Sequence, residues 1–247
     1  MRPAYSALVT GGAGTIGSRI SQALSAAGFA VGVGYRDNLS RASRVAENIV
    51  NAGGEAIAVP VSLEQPESAI AAVETMAAEL APLGVLVNNA VAWPATVEAA
   101  EPFHMDESDW AATVRLNLEG TLHITRHCLR PMTQQGWGRI VTISTNLVDG
   151  VMPSDVSYVS GKGGLTAASR ALAWEVGPAG VTVNLVAPGL TAEKGATLPE
   201  GIVSRIVDGT PIRRLVTSAE VAAAVAFLAS PQAGAITGTV LTVSGGH

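Results

Sequence analysis

Seven short apolar runs, at residues 7–10, 30–35, 55–61, 85–88, 139–144, 181–186 and 240–243, alternate along the chain with longer segments of helical periodicity. This alternation constrains the fold most, because a strand that is apolar almost throughout needs cover on both faces. The order strand, helix, strand then predicts an α/β chain, with a doubly wound parallel sheet and helices on either side. Helices are expected over 16–27, 41–52, 66–80, 106–128, 158–176 and 219–229. Gly28 and Gly53 stand where the first two would end, and Ser218 reads as the N-cap of the last. Neither a linker nor a repeat interrupts the pattern, so 1–247 is expected to be one domain, and 48% hydrophobic content suffices for one full core.

Charge narrows the partners. The net charge of −5 comes without any cluster of Lys or Arg, which argues against nucleic acid and anionic membrane surfaces and for small molecules. Only two lysines occur, Lys162 and Lys194. A single cysteine, Cys128, excludes an intramolecular disulfide or a Cys-pair zinc site and fits a reducing, cytoplasmic setting. The N-terminus shows no charged leader before an apolar stretch, and no apolar run reaches the roughly 18 residues of a membrane span. His123 and His127 lie one helical turn apart, but Ile124 replaces the glutamate of a zinc-protease helix and no third ligand is evident, so no metal is expected.

Two motifs carry chemistry. Thr10-Gly11-Gly12-Ala13-Gly14-Thr15-Ile16-Gly17 joins the first strand to the first helix, and Gly12, Gly14 and Gly17 fit G-x-G-x-x-G. Such a turn lets backbone approach a pyrophosphate at a helix N-terminus, where the dipole favours negative charge. The spacing of a nucleoside-triphosphatase phosphate loop is absent. Further on, Tyr158 and Lys162 stand four residues apart, on one side of a helix. A phenol, with an ordinary pKa of about 10, is a proton donor at neutral pH, and a nearby ammonium stabilises its phenolate. Bringing it close to neutrality needs roughly 3 to 4 kcal/mol of differential stabilisation.

The glycine turn, Asn88-Asn89-Ala90 after the fourth strand, Asn117, Ser144-Thr145, Tyr158 with Lys162, and Pro188-Gly189 after the sixth strand together resemble the short-chain dehydrogenase/reductase family. The tail from Ile236-Thr237-Gly238 to Val243-Ser244-Gly245-Gly246 is similar to that of 3-oxoacyl reductase-type members, so the resemblance spans nearly the whole chain. It implies a Rossmann-type fold and a catalytic tetrad. Tyr158 would exchange the substrate proton, while Lys162 would tune it and hold the nicotinamide ribose. Asn117 would hold a relay water, and Thr145, with Ser144 as the alternative hydroxyl, would bind the substrate oxygen. Cofactor contacts fall to Gly11, Gly14, Thr15, Ile16, Gly17, Tyr35, Arg36, Ser62, Leu63, Asn89, Ala90, Pro188, Gly189 and Thr191, together with Tyr158 and Lys162. A homotetramer built on the 106–128 and 158–176 helices is also implied.

The chain departs from that pattern in places. Thr15 stands at the middle glycine of the short-branch turn, Val91 replaces the glycine after Asn-Asn-Ala, and Val61-Ser62-Leu63 replaces the usual acid after the third strand. Tyr35 takes the place of the acid that selects NAD, and Arg36 follows it, so NADP(H) is expected. Asp37 keeps NAD(H) possible. Trp93, Pro94, Leu147, Val148, Met152, Pro153 and Leu190 would wall the substrate, suggesting a ketone with a hydrophobic body. The family's usual basic sites for an acidic acyl carrier correspond to Gly136 and Ala179, with Arg130 and Arg139 nearby. The leading reading is a ketone reductase or the reverse alcohol dehydrogenase. Its alternatives are an NAD-dependent alcohol dehydrogenase, a non-catalytic nucleotide-sensing or structural member, and an extended-branch epimerase or dehydratase.

Overall fold

The computed structural model describes residues 4–93, 107–152, 154–192 and 200–246. All seven apolar runs form strands: β1 (Ser6–Val9), β2 (Ala30–Tyr35), β3 (Ala56–Pro60), β4 (Leu83–Asn88), β5 (Gly138–Ile143), β6 (Val181–Pro188) and β7 (Val240–Val243). They pair in parallel in the order β3-β2-β1-β4-β5-β6-β7. The described helices are α1 (Thr15–Ala26), α2 (Leu39–Asn51), α3 (Ser68–Glu79), α4 (Glu107–Arg115), α5 (Thr121–Gln135), α6 (Val156–Val176), α7 (Glu200–Gly209) and α8 (Ser218–Ala229).

Successive strand residues point to opposite faces, and here both faces meet helices. Ala7 and Val9 of β1 join Val33, Val87 and Val141 beneath α1, α2 and α8, through Ile20, Leu24, Val45, Ile49, Val221 and Val225. Leu8, between them, joins Leu86, Ile140 and Val183 beneath α3, α5 and α6, through Met76, Ile124, Met132 and Val176. Each fully buried side chain of this size stabilises the fold by about 1.5–3 kcal/mol. The fold is therefore the expected Rossmann-type α/β architecture, with the sheet between two helical layers.

The chain leaves β1 toward β2 and β3, then crosses back to β4 on the other side of β1. Loops after β1 and β4 therefore diverge at the carboxyl ends of the strands, opening the crevice where such sheets bind ligands.

Several element ends differ from expectation. Thr217, not Ser218, caps α8: its hydroxyl accepts from Glu220 N, and the Glu220 carboxylate accepts in return from Thr217 N. This reciprocal capping box stabilises a helix N-terminus better than a lone serine. The helix expected over 106–128 is broken by a π-helical stretch, Leu116–Gly120, and runs on to Gln135. Helix α7 was not anticipated. Helix α6 starts two residues before Tyr158, capped by Asp155, whose Oδ1 accepts from Tyr158 N at 2.8 Å and Ser157 Oγ at 2.5 Å. No described helix is long and apolar enough to cross a membrane.

Candidate active site

At the carboxyl ends of the strands lies a cavity of about 870 Å³. Every residue assigned to cofactor binding lines it, and so do Ser144, Thr145, Tyr158 and Lys162. Asn117 stands behind the wall and acts on the cavity through the backbone it holds.

The glycine turn is fixed by hydrogen bonds from the neighbouring strand. Thr10 Oγ1 accepts from Asn89 N and Ala90 N, each at 3.0 Å, and Asn89 Nδ2 donates to Thr10 O and Gly11 O, each at 3.0 Å. Thr10 therefore ties the β1 turn to the end of β4, a role the sequence did not reveal beyond marking where the turn begins. Gly17 sits where backbone approaches closely: a Cβ there would lie 2.2 Å from Gly11 O and 2.7 Å from Asn89 Nδ2. Thr15, the unexpected residue, opens α1 with its side chain exposed toward the cavity, so no glycine is required at that position. Val91 is likewise exposed, and a side chain fits there. Ser62 and Leu63 line the cavity in the acid's place, with Ser62 N bonded to Ser68 Oγ at 3.0 Å.

Around Tyr158 and Lys162, burial governs electrostatics. Lys162 is 3% exposed, and its Nζ donates to Ile143 O at 2.8 Å. Burial draws its pKa down to about 8. Tyr158 is 6% exposed, and burial pushes its phenol up to about 12, partly offset by the Thr145 side chain that hydrogen-bonds it. The expected lowering of the phenol by Lys162 is therefore not found among the protein's own groups. Desolvation of the phenolate outweighs an ammonium 6.0 Å from the ring centroid and turned onto a backbone carbonyl. Of the two adjacent hydroxyls, Thr145 is the one that faces Tyr158, as alternation along a strand end requires.

Asn117 lies in the π-helical stretch, against α6 at Gly161, where a Cβ would come within 2.9 Å of Asn117 Cβ. Its Oδ1 accepts from Ala92 N at 3.1 Å, and its Nδ2 donates to Ala92 O at 2.7 Å and Thr113 O at 2.9 Å. The side-chain amide is thus committed to holding the β4 loop and the preceding turn of its own helix. One residue on, Trp93 stacks on Tyr158, ring centroids 4.6 Å apart and planes 20° from parallel.

Other candidates separate clearly. Leu147, Met152 and Leu190 line the cavity with Trp93, whereas Val148 does not; Pro94 and Pro153 lie outside the described residues. Sequence reading missed Arg41, Glu64, Ile206, Thr210, Arg214 and Val216, which also line it. Arg41 was the most accessible of these, as a cation five residues beyond Arg36 in the first turn of α2. Arg139 is not available to an acidic carrier: it is buried over the Trp137 ring, and its guanidinium donates to Gly138 O, Gly180 O and Ser230 O. Cys128 is buried with its thiol pushed up to about 12, so it is no nucleophile at neutral pH. Among the described residues no group of His, Cys, Asp and Glu could hold a metal ion. Lys194, His104 and His247 lie outside them.

Comparison with known proteins extends the same pattern over the full length. Residues 11–247 match the family profile described as enoyl-(acyl carrier protein) reductase. The chain is 36% identical to the acetoacetyl-CoA reductase of Rhizobium meliloti, over 98% of this chain and 97% of that protein. It is also 36% identical to the 3-oxoacyl-[acyl-carrier-protein] reductase of Aquifex aeolicus, over 97% and 95%. Nodulation protein G of Azospirillum brasilense is 34% identical, over 97% and 96%. With this whole-length similarity and a glycine turn, tyrosine and lysine gathered at one switch point of a seven-stranded parallel sheet, the chain belongs to the short-chain dehydrogenase/reductase family of oxidoreductases, among ketoreductase-type relatives.

Proposed function

We propose that this chain is an NADP(H)-dependent oxidoreductase that interconverts a ketone and a secondary alcohol, with Tyr158 exchanging the proton. The observation that carries this reading is the convergence of Thr145, Tyr158 and Lys162 on the same cavity as the glycine turn and Arg36. The residues present fit a dinucleotide. Gly11, Gly14 and Gly17 bring the turn to the cavity wall, and the N-terminus of α1 has no side-chain cap, which leaves its first-turn N–H groups to a pyrophosphate. Bound there, the nicotinamide supplies the hydride to the carbonyl carbon, or accepts it from the alcohol.

The chain's own groups do the rest. The Thr145 hydroxyl and the Tyr158 phenol converge where the substrate oxygen belongs. Tyr158 donates its proton to that oxygen as charge develops on it, and Thr145 stabilises the same charge by a hydrogen bond. A phenol held high by burial is protonated at neutral pH, the form that reduction uses. Lys162, anchored on Ile143 O, would hold the ribose hydroxyls with its remaining protons.

The sign of the pH dependence follows. With a pKa lowered to about 8, Lys162 carries its ammonium below pH 8 and loses it above. Reductive kcat/KM is expected to be level up to about pH 8 and then to fall by about tenfold per pH unit. A profile level to pH 10 would remove Lys162 from this role.

Cofactor choice rests on Arg36. Its Nε meets Asp37 Oδ2 at 2.5 Å and its Nη1 meets Glu64 Oε1 at 3.2 Å, in an exposed position. A 2′-phosphate would replace these carboxylates, with Arg41 beside it on the cavity wall. Arg36→Ala is expected to weaken NADPH binding by about 10- to 100-fold, the worth of charge-assisted hydrogen bonds, and to leave NADH within about twofold. Fluorescence titration at fixed salt measures both, and a wild-type preference for NADH would reverse the assignment. Binding of neither nucleotide would favour a non-catalytic chain.

A homotetramer and a cytoplasmic location complete this reading. Trp174 on α6, 86% exposed, is the kind of side chain that a subunit interface on that helix would cover.

A further inference from the structure

Trp93 is 64% exposed in a chain whose other large apolar side chains around the cavity are mostly buried or half-buried. One face of its indole lies on the Tyr158 ring, and the residue lines the cavity. Its position is not that of a loose loop side chain. The residue before it is gripped at Ala92 N and Ala92 O by the two ends of the Asn117 amide, and Asn117 itself is buried and bonded to Thr113 O. The helix interior therefore aims the loop at Tyr158, and an exposed aromatic surface is held beside the hydroxyl that exchanges the proton.

The remaining wall fits an uncharged ligand. Leu147, Met152, Leu190 and Leu215 are apolar. Arg214 lines the cavity too, and its Nη1 and Nη2 both lie on the Glu220 carboxylate, at 2.9 and 2.6 Å. That carboxylate is held in turn by Thr217 N and Thr217 Oγ1. A carboxylate or phosphate on the substrate would have to compete with Glu220 for both guanidinium nitrogens, whereas a flat apolar ring would gain by covering the indole.

Resting on the reductase reading above, we propose that Trp93 is a specificity-determining residue, and that the substrate it selects is an uncharged ketone, or its alcohol, whose carbonyl belongs to a flat apolar ring system. The ring packs against the part of the indole that Tyr158 leaves uncovered, beside the phenol, so that its oxygen reaches Thr145 and Tyr158. Trp93 acts on binding and leaves the proton transfer to Tyr158, so its loss is expected in KM rather than in kcat.

The test compares 1-indanone, which is flat and bicyclic, with 2-hexanone, which is acyclic, in the wild type, Trp93→Ala and Trp93→Phe. Because the indole is exposed, truncating it leaves the core intact. For 1-indanone, Trp93→Ala is expected to raise KM by about tenfold or more with kcat within about threefold, while Trp93→Phe keeps most of the affinity. For 2-hexanone, KM is expected to change by less than about threefold. Calorimetric titration of 1-indanone into the wild type and Trp93→Ala, with NADPH present, gives a readout independent of turnover. Loss of that binding in the alanine variant supports the stacking role even if no ketone is turned over, a result that would count against the reductase reading alone. Turnover of both ketones with their KM ratio unchanged in Trp93→Ala overturns the proposal and leaves that reading standing. Absence of 1-indanone binding to the wild type also overturns it.

Discussion

Replacing Tyr158 by phenylalanine is expected to lower kcat for ketone reduction by about 10²- to 10⁴-fold, the usual contribution of a positioned general acid. This corresponds to about 3 to 5.5 kcal/mol of transition-state stabilisation. The substitution leaves the ring, its stack with Trp93 and the Asp155 cap of α6 in place. It removes one hydroxyl bonded to Thr145, so folding stability is expected to change by no more than about 1 kcal/mol. NADPH affinity should stay within about twofold, which separates lost chemistry from lost binding. The adjacent hydroxyls provide an internal comparison. Thr145→Val keeps the shape and removes the oxygen facing Tyr158, and a loss of about 10²-fold is expected, as for one oxyanion donor. Ser144→Ala should have a far smaller effect. Steady-state kinetics with a saturating cofactor measures all three. A Tyr158→Phe enzyme retaining a tenth of its activity would assign the proton to another group.

That comparison shows what the chain made legible. Residues that leave a strand alternate in direction, so adjacent Ser144 and Thr145 could not both face the phenol, and the family resemblance put the hydroxyl at Thr145 with Ser144 as the alternative. The strands were readable for a related reason: covered on both faces, β1, β4, β5 and β6 had to be largely apolar. Helix ends were less so. Thr217 and Ser218 are both acceptable caps, and only the reciprocal bond with Glu220 decides between them. The π-helical stretch comes from tertiary contacts that no local propensity encodes, including Gly120 against Leu63 O and Gly161 against Asn117. The same applies to Trp93 on Tyr158 and Asn117 on Ala92, which join segments far apart in sequence through the topology of the sheet. Proton affinities were the least legible. Sequence places Lys162 one turn from Tyr158, but only the structure shows both groups buried and the ammonium turned onto Ile143 O. Burial then raises the phenol where proximity alone would lower it.

Gly17→Ala is expected to be the most damaging small substitution in the site. A methyl group at Gly17 would meet Gly11 O at 2.2 Å and Asn89 Nδ2 at 2.7 Å, and neither neighbour is free to move. Gly11 has a positive φ of 60°, and Asn89 is tied to Thr10 O and Gly11 O. The methyl must therefore displace the turn from the β4 strand end, at a cost of about 1–3 kcal/mol or more from overpacking. The displaced segment is the one that would carry the pyrophosphate, so NADPH affinity is expected to fall by at least tenfold as the chain loses stability. Gly14→Ala is the control. Its added methyl would meet only Gly11 O, at 3.2 Å, and Gly14 already has ordinary extended backbone, with φ −70° and ψ 177°. It should unfold within about 1 kcal/mol of the wild type, a relaxation of a few tenths of an ångström being enough. Denaturant unfolding and NADPH titration on the two variants measure the contrast. Equal stability and equal affinity in both would mean that the turn is softer than its contacts imply. In that case the threonine at position 15 would no longer be explained by where the close approach falls, since that approach requires glycine at 17 and leaves 15 free to carry a side chain.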